Sequence, residues 1–170
     1  MLDLVQSRSV TLGAGRLVCV DGPAGSGKTT LAGALRDLSP GSGLVHLDEL
    51  LDGWSGLAGV DRRLDPLLLP LARGEAGRYE RYDWIAGRFV EWVPVPPTPL
   101  LILEGVGSGS LRHAALCTAL IWVEVDDDLR LRRGMARDGE AMRAHWERWM
   151  RDERAHFVDH DTRARADMVV

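Results

Sequence analysis

Cysteine is scarce in this sequence, which holds only Cys19 and Cys117 among its 170 residues. Cys19 lies in an apolar run typical of a buried strand, and the two positions match neither a zinc-binding spacing nor a disulfide framework. These observations exclude a small secreted scaffold held by disulfides. A reducing cytoplasm is the expected compartment.

Long hydrophobic runs and a strong net charge are also missing. No eighteen consecutive residues are apolar and the N-terminus lacks a basic start followed by an apolar stretch, so neither a membrane span nor an export signal is predicted. The formal net charge is −4, which implies no large basic surface and makes nucleic acid an unexpected partner. Length and ordinary globular composition predict a single domain over residues 1–170.

One short segment carries a specific pattern. Residues 18–30 read VCVDGPAGSGKTT, and Gly22 to Thr29 match the template G-x-x-x-x-G-K-[ST]. In such a phosphate loop, backbone amides and the start of the next helix bind phosphate oxygens, and glycine permits their close approach. We expect Lys28 to bridge the β- and γ-phosphates of ATP and the Thr29 hydroxyl to bind Mg2+. The predicted ATP-binding residues are Gly22, Ala24, Gly25, Ser26, Gly27, Lys28, Thr29 and Thr30.

The spacing of apolar residues predicts an α/β fold around this loop. Apolar runs typical of buried strands cover residues 16–21, 43–49, 98–105, 118–125 and 166–170. Helical patterns cover residues 28–38 and begin again near Asp65, near Asp126 and around Met142. Together they predict a three-layer P-loop NTPase fold, with a central five-stranded, mostly parallel sheet and helices on both faces. The proline-rich residues 93–99 are predicted to be an extended connector.

Two carboxylates end predicted strands beside the loop. Asp48 is the candidate base that accepts a proton from an attacking hydroxyl, with its neighbour Glu49 as an alternative. Glu104 is the candidate that positions Mg2+ together with Thr29. Because the strand reads LLILEG rather than ending in Asp-Glu, the sequence favours transfer to a bound acceptor over hydrolysis. An Asn-Lys-x-Asp guanine-binding motif is absent.

Arginines and aromatic residues supply the remaining candidates. Arg130, Arg133 and Arg137 fall on one face of a predicted helix within a short lid, at about residues 127–140, and could neutralise the transferred phosphoryl group. An acceptor-side insertion is predicted at about residues 50–97, where Trp54 and Trp84 could stack on a planar acceptor. The predicted substrate-binding residues are Asp48, Trp54, Arg78, Arg81, Tyr82, Asp83 and Arg88.

The sequence resembles the uridine kinase-like P-loop kinases, within the nucleoside and nucleoside monophosphate kinase class. The resemblance covers nearly the whole chain and is carried by VDGPAGSGKTT, VHLDELLDGW, YERYDW, LLILEGVGSG and RLRRGMARDGE. It implies ATP with Mg2+, an acceptor-side aspartate at Asp48, and lid arginines at Arg133 and Arg137. Here the residues after Asp48 read ELLDGW, whereas an Asp-Asp-Phe-Tyr-like run is common in that group.

We therefore expect an ATP-dependent small-molecule kinase that phosphorylates an acceptor hydroxyl, such as that of uridine or cytidine. Lys28, Asp48, Arg133 and Arg137 are the predicted catalytic residues, and Thr29 and Glu104 the predicted metal ligands. Two alternatives stay open: a kinase for a nucleoside monophosphate or an antibiotic hydroxyl, and a non-catalytic ATP-binding regulatory module. The sequence leaves the oligomeric state open.

Overall fold

The computed structural model describes residues 1–170. Its strands are β1 (Arg16–Asp21), β2 (Gly43–His46), β3 (Gly77–Asp83), β4 (Arg88–Val95), β5 (Leu100–Glu104), β6 (Ala119–Trp122) and β7 (Met168–Val169). Its α-helices are α1 (Leu2–Ser7), α2 (Lys28–Asp37), α3 (Val60–Arg63), α4 (Asp65–Ala72), α5 (Asp127–Asp138), α6 (Arg143–His160) and α7 (Thr162–Arg165). Short 3-10 helices cover Leu47–Leu50, Gly53–Gly59, Leu111–Leu116 and Glu140–Met142.

Five strands form one parallel sheet in the order β2-β5-β1-β6-β7. The central strand is β1, whose Val18 lies opposite Ile102 of β5 and Ala119 of β6. The predicted five-stranded sheet is thus confirmed, and all of its pairings are parallel. Because the strands run in one direction, the phosphate loop, the residues after β2 and the end of β5 meet at a single edge.

Side chains that alternate along β1 divide the interior into two cores. Leu17 and Cys19 belong to a core that includes Leu67 of α4 and Trp149 of α6. Val18 and Val20 face the other way, into a core shared with α1 and α2. Helices therefore cover both faces of the sheet, and the predicted three-layer arrangement is confirmed.

The predicted helix and strand positions hold, with shorter strands than expected. The strand predicted over residues 43–49 ends at His46, so Asp48 lies in the 3-10 helix that follows. Pro66 lies in the first turn of α4, where its missing N–H leaves no hydrogen bond unmade. None of the helices combines the length and apolar composition that crossing a membrane requires.

A separate β-hairpin lies within residues 50–97, where the acceptor-side insertion is predicted, and it corrects the start of the predicted connector. Strands β3 and β4 pair antiparallel, and residues 93–95, predicted to be a connector, belong to β4. Pro94 lies opposite Arg78 in this two-stranded sheet. Each strand has an unpaired edge, so a proline without an N–H is tolerated there. The hairpin packs against α4 and the 3-10 helix that holds Asp48, which places its turn beside the phosphate loop.

Candidate functional site

A cleft of about 740 Å3 opens at the carboxyl edge of the sheet. Its floor comes from the phosphate loop and the end of β5. Its walls come from the hairpin turn, from α6, and from α5, the helix of the predicted lid, which is called the lid helix below. The lining residues include Lys28, Thr29, Asp48, Glu104 and Arg137, five of the predicted catalytic or metal-binding residues. The fold thus brings together side chains from four distant parts of the chain.

The phosphate loop takes a shape that its glycines make possible. Gly22 has φ 137° and approaches Val123 so closely that a Cβ would lie 2.1 Å from that carbonyl oxygen. Gly27 has φ 107° and immediately precedes α2, whose ten residues begin at Lys28. Free amides at this helix N-terminus create a positive site suited to phosphate. The loop therefore fits the phosphates of a nucleotide.

Lys28 is buried at the base of the loop. Its Nζ donates a hydrogen bond to the Pro23 carbonyl at 2.9 Å. Burial lowers the pKa of Lys28, while the carboxylates of Asp21, Glu104 and Glu153 oppose this shift. The ammonium group is therefore held by a carbonyl that a phosphate oxygen could replace.

Glu104 and Thr29 form the part of the cleft suited to Mg2+. The buried Glu104 Oε1 accepts hydrogen bonds from Thr29 Oγ1 at 3.1 Å and is 2.6 Å from His46 Nδ1. No cluster of three or more His, Cys, Asp or Glu residues could hold a metal by itself. One hydroxyl and one carboxylate suit Mg2+, which keeps several water molecules and takes further oxygens from bound phosphates. The residues therefore fit a metal that arrives with a nucleotide.

Asp48 lies in the cleft with an open face, and its backbone is held in place. The Trp84 indole donates a hydrogen bond to the Asp48 carbonyl oxygen at 3.1 Å. The Asp48 side chain is exposed at its surface, but the surrounding walls of the cleft partly desolvate it and raise the pKa of its carboxyl, and the negative charge of Glu104 adds to the effect. The alternative base, Glu49, instead accepts a hydrogen bond from Tyr79 at 2.5 Å. The Glu49 carboxylate is therefore hydrogen-bonded to β3 of the hairpin. Of the two neighbouring carboxylates, only that of Asp48 lines the cleft.

The three lid arginines occupy different environments. Arg137 lines the cleft and pairs with Asp138, and both Asp138 and the more distant Asp48 raise its pKa. Arg133 is exposed and donates to the Gly25 carbonyl of the phosphate loop at 3.1 Å. Arg130 is 1% exposed and pairs with Glu153. The expectation that all three close over ATP is corrected for Arg130, because its side chain is held in the interior.

The acceptor side of the cleft is aromatic. Trp54 packs edge-to-face on Trp84, Trp146 and Trp149, with ring centroids 5.8 to 6.1 Å apart. Tyr82 extends this cluster by packing on Trp84 at 5.5 Å. Trp54 and Trp84 line the cleft, as do Trp146 and Trp149 of α6.

Five predicted acceptor-side residues do not line the cleft in this structure: Tyr82, which packs on Trp84, and the four charged residues that follow. Arg78 lies over the ring of Trp92, and Arg81 pairs with Glu91 across the hairpin. The Asp83 carboxylate accepts the amides of Ile85 and Ala86, which fixes the hairpin turn. Arg88 follows that turn and is exposed. Their hydrogen bonds and stacking hold the shape of the hairpin.

The comparisons with known proteins identify the fold. No family model matches the sequence, and no curated protein shows significant sequence similarity to it. A possible uridine kinase from Bacillus stearothermophilus superposes with a TM-score of 0.63 at 16% identity, covering 99% of this chain and 97% of that one. A protein provisionally named a fructose transport system kinase, from Silicibacter sp. TM1040, gives 0.66 at 21% identity, covering 99% and 96%. The fold is that of the P-loop kinases.

Two buried carboxylates of this kinase fold were not among the predicted site residues. Asp21 accepts the amides of Gly22, Gly107 and Gly109 at 2.7, 3.1 and 2.8 Å, which ties the phosphate loop to the segment after β5. Glu153 accepts the Ala24 amide at 2.9 Å. Asp21 could have been noticed as a charge that ends a buried strand. Glu153 lies on the inward face of α6, three residues after Met150. A charged residue on that buried face is the feature of the sequence that could have indicated it.

Proposed function

We propose that this protein is an ATP-dependent kinase that transfers the γ-phosphoryl group to a hydroxyl of a small, uncharged acceptor. The observation that supports this proposal most directly is that Lys28 and Thr29 of the phosphate loop share one cleft with Asp48 and an aromatic wall. A phosphate donor and a hydroxyl acceptor could therefore bind side by side, with a carboxylate between them.

Each predicted catalytic residue has a role in this proposal. Asp48 accepts the proton of the attacking hydroxyl, and Lys28 binds the transferred phosphate. Arg133 and Arg137 of α5 would neutralise charge on that phosphate once the proposed lid closes over it. Mg2+ held by Thr29 and Glu104 would neutralise charge on the β- and γ-phosphate oxygens.

The cleft wall supports an acceptor with a planar, uncharged part. Trp54 and Trp84 offer aromatic surface for stacking, and Met142 and Val106 add apolar contacts. Arg137 is the only arginine that lines the cleft, and the transferred phosphate would occupy it, so no second arginine of the cleft is left for a phosphate on the acceptor. A nucleoside such as uridine or cytidine fits these features better than a nucleoside monophosphate, whose phosphate needs free cations.

The test is ADP release from Mg-ATP, with Lys28→Ala as the blank. The acceptor panel contains nucleosides, nucleoside monophosphates, and aminoglycoside and phenicol alcohols. We expect stimulation by a nucleoside and none by its monophosphate. Stimulation by a monophosphate or an antibiotic would reassign the acceptor, and ATP binding without turnover on any acceptor would favour a regulatory module.

A further inference from the structure

A buried ion pair joins the lid helix to α6 behind the phosphate loop. Arg130 of α5 and Glu153 of α6 are 1% and 0% exposed, and the Arg130 guanidinium donates to Glu153 Oε1. Arg130 Nε also donates to Asp127 Oδ1 at 2.8 Å, and Asp127 pairs in turn with Arg154. A buried charge without a partner strongly destabilises a fold, so each member of such a pair needs the other to remain buried in its charged form.

The second oxygen of Glu153 reaches the loop itself. Glu153 Oε2 accepts the Ala24 backbone amide at 2.9 Å. Pro23, the residue before it, has no N–H, and its carbonyl accepts hydrogen bonds from Ser26 N and Lys28 Nζ. One carboxylate therefore binds the outer turn of the phosphate loop with one oxygen and the lid helix with the other.

The lid helix also contacts the loop directly. A Cβ at Gly25 would lie 3.1 Å from both the Cβ and the carbonyl oxygen of Arg130. One turn further along α5, Arg133 donates to the Gly25 carbonyl at 3.1 Å. Close packing at Gly25 thus sets the distance between α5 and the loop. Glu153 supports this contact through its bonds to Ala24 of the loop and Arg130 of α5.

We infer that Glu153 is a positioning residue that locks the phosphate loop to the lid helix, so that loop amides and lid arginines face the same phosphate. The role in phosphate binding rests on the proposed kinase function, whereas the loop-to-lid coupling is a property of the free protein. Glu153 does not line the cleft, so it acts through Ala24 and Arg130 rather than on the substrate.

Hydrogen exchange in the free protein tests the coupling without any ligand. Glu153→Gln keeps an oxygen for the Ala24 amide but removes the charge that holds Arg130. We expect amide exchange at least about tenfold faster in two segments: the loop, read at the hydrogen-bonded amides of Ala24 and Ser26, and the helix of residues 127–138. Glu147→Gln, an exposed change on the same helix, is the matched control and should leave both segments unchanged. Faster exchange in one segment only, or in neither, would overturn the inference.

Mg-ATP affinity then separates positioning from general stability. We expect Glu153→Gln to raise the Kd for Mg-ATP about tenfold, and Glu153→Asp to recover part of that loss. An unchanged Kd would overturn the positioning role even if the melting temperature falls. Failure of the wild-type chain to bind Mg-ATP would instead count against the kinase function, and the exchange comparison would still stand.

A double variant covers the case in which Glu153→Gln fails to fold. Arg130→Met with Glu153→Leu removes both charges and leaves neither one unpaired, an exchange that buried ion pairs often tolerate. We expect it to fold with fast exchange in both segments and weak Mg-ATP binding. Native exchange and affinity in this variant would overturn the inference, and failure of both variants to fold would assign the pair to stability alone.

Discussion

At the scale of single residues, Lys28 is chemically distinct because it is the only lysine in the chain. Burial lowers its pKa, which raises the neutral, nucleophilic fraction of the amine. We predict that an acyl phosphate derivative of ATP acylates Lys28 and that Mg-ATP prevents the reaction. Mass spectrometry of digested protein checks this, with Lys28→Ala as control. A probe that labels only the N-terminal amine, or labels Lys28 equally with Mg-ATP present, would contradict it.

Asp48 and Glu49 provide a matched pair of adjacent carboxylates. If Asp48 is the base, Asp48→Asn should slow transfer by about 10²- to 10⁴-fold while the Kd for Mg-ATP stays nearly constant. Glu49→Gln should change the transfer rate little, because Glu49 is bound to Tyr79. Steady-state rates and ATP titrations of both variants make the comparison. Equal rates for Asp48→Asn and the wild type would remove Asp48 from this role.

The raised pKa of Asp48 predicts how the transfer rate depends on pH. A base acts in its ionised form, so the rate should rise with pH as Asp48 loses its proton. Desolvation within the cleft and the charge of Glu104 raise that pKa in the free protein, which moves the rising limb of kcat/KM for Mg-ATP, the parameter that reports the free protein, above the range of an ordinary aspartate. The limb should disappear in Asp48→Asn. A wild-type rate that is independent of pH through the acid range would argue against this assignment.

Residue types alone could indicate some of these positions but not others. The phosphate loop follows from a fixed template, and Asp48 and Glu104 follow from carboxylates that end buried runs. Glu153 was not predicted as a site residue because its burial depends on pairing with Arg130, which lies on another helix. A helical pattern shows which face of α6 points inward, but it does not show which charge will meet a partner there.

At the scale of elements, the lid helix contains a glycine where helix propensity and packing disagree. Alanine is favoured over glycine in a helix by about 1 kcal/mol. A Cβ at Gly134 would lie 2.4 Å from a ring carbon of the fully buried Trp146, and such overpacking costs about 1 to 3 kcal/mol. We predict that Gly134→Ala lowers the free energy of unfolding, as measured by urea denaturation.

Gly33 in helix α2 is the matched control for that change. A Cβ at Gly33 would meet no atom within 4 Å, so propensity acts alone. Gly33→Ala should raise the free energy of unfolding by about 0.4 to 1 kcal/mol. The two substitutions are chemically identical and should differ in sign. Stabilisation by both would mean that α5 moves away from Trp146 at little cost.

The β-hairpin of β3 and β4 was harder to predict from the sequence than the parallel sheet. Residues 77–83 read GRYERYD, without the apolar alternation of a half-buried strand. A register shift between Arg81 and Tyr82 then changes which side chains share a face. The arginines of this segment were predicted to bind the acceptor together with its aromatic residues. Pairing across the hairpin directs Arg81 to Glu91 instead.

At the scale of the whole molecule, the sheet order explains how distant residues form one cleft. β5 lies between β2 and β1, so Glu104 lies between the residues that follow β2 and the phosphate loop. Apolar runs in the sequence predict parallel strands and hence a shared edge. They do not predict how far α6 extends over that edge. Trp146 and Trp149 of α6 are buried and also line the cleft, and neither was among the predicted site residues.

Binding of Mg-ATP should stabilise the entire domain, because the cleft joins elements from both ends of the chain. A ligand that binds only the native state at a hundred times its Kd adds about 2.7 kcal/mol. For a domain of this size, 1 kcal/mol raises the Tm by roughly 2 to 4 °C, so an increase of about 5 to 10 °C is expected. Thermal unfolding with and without Mg-ATP measures it. Lys28→Ala should show little increase, and an equal increase in both proteins would mean that the nucleotide binds outside the phosphate loop.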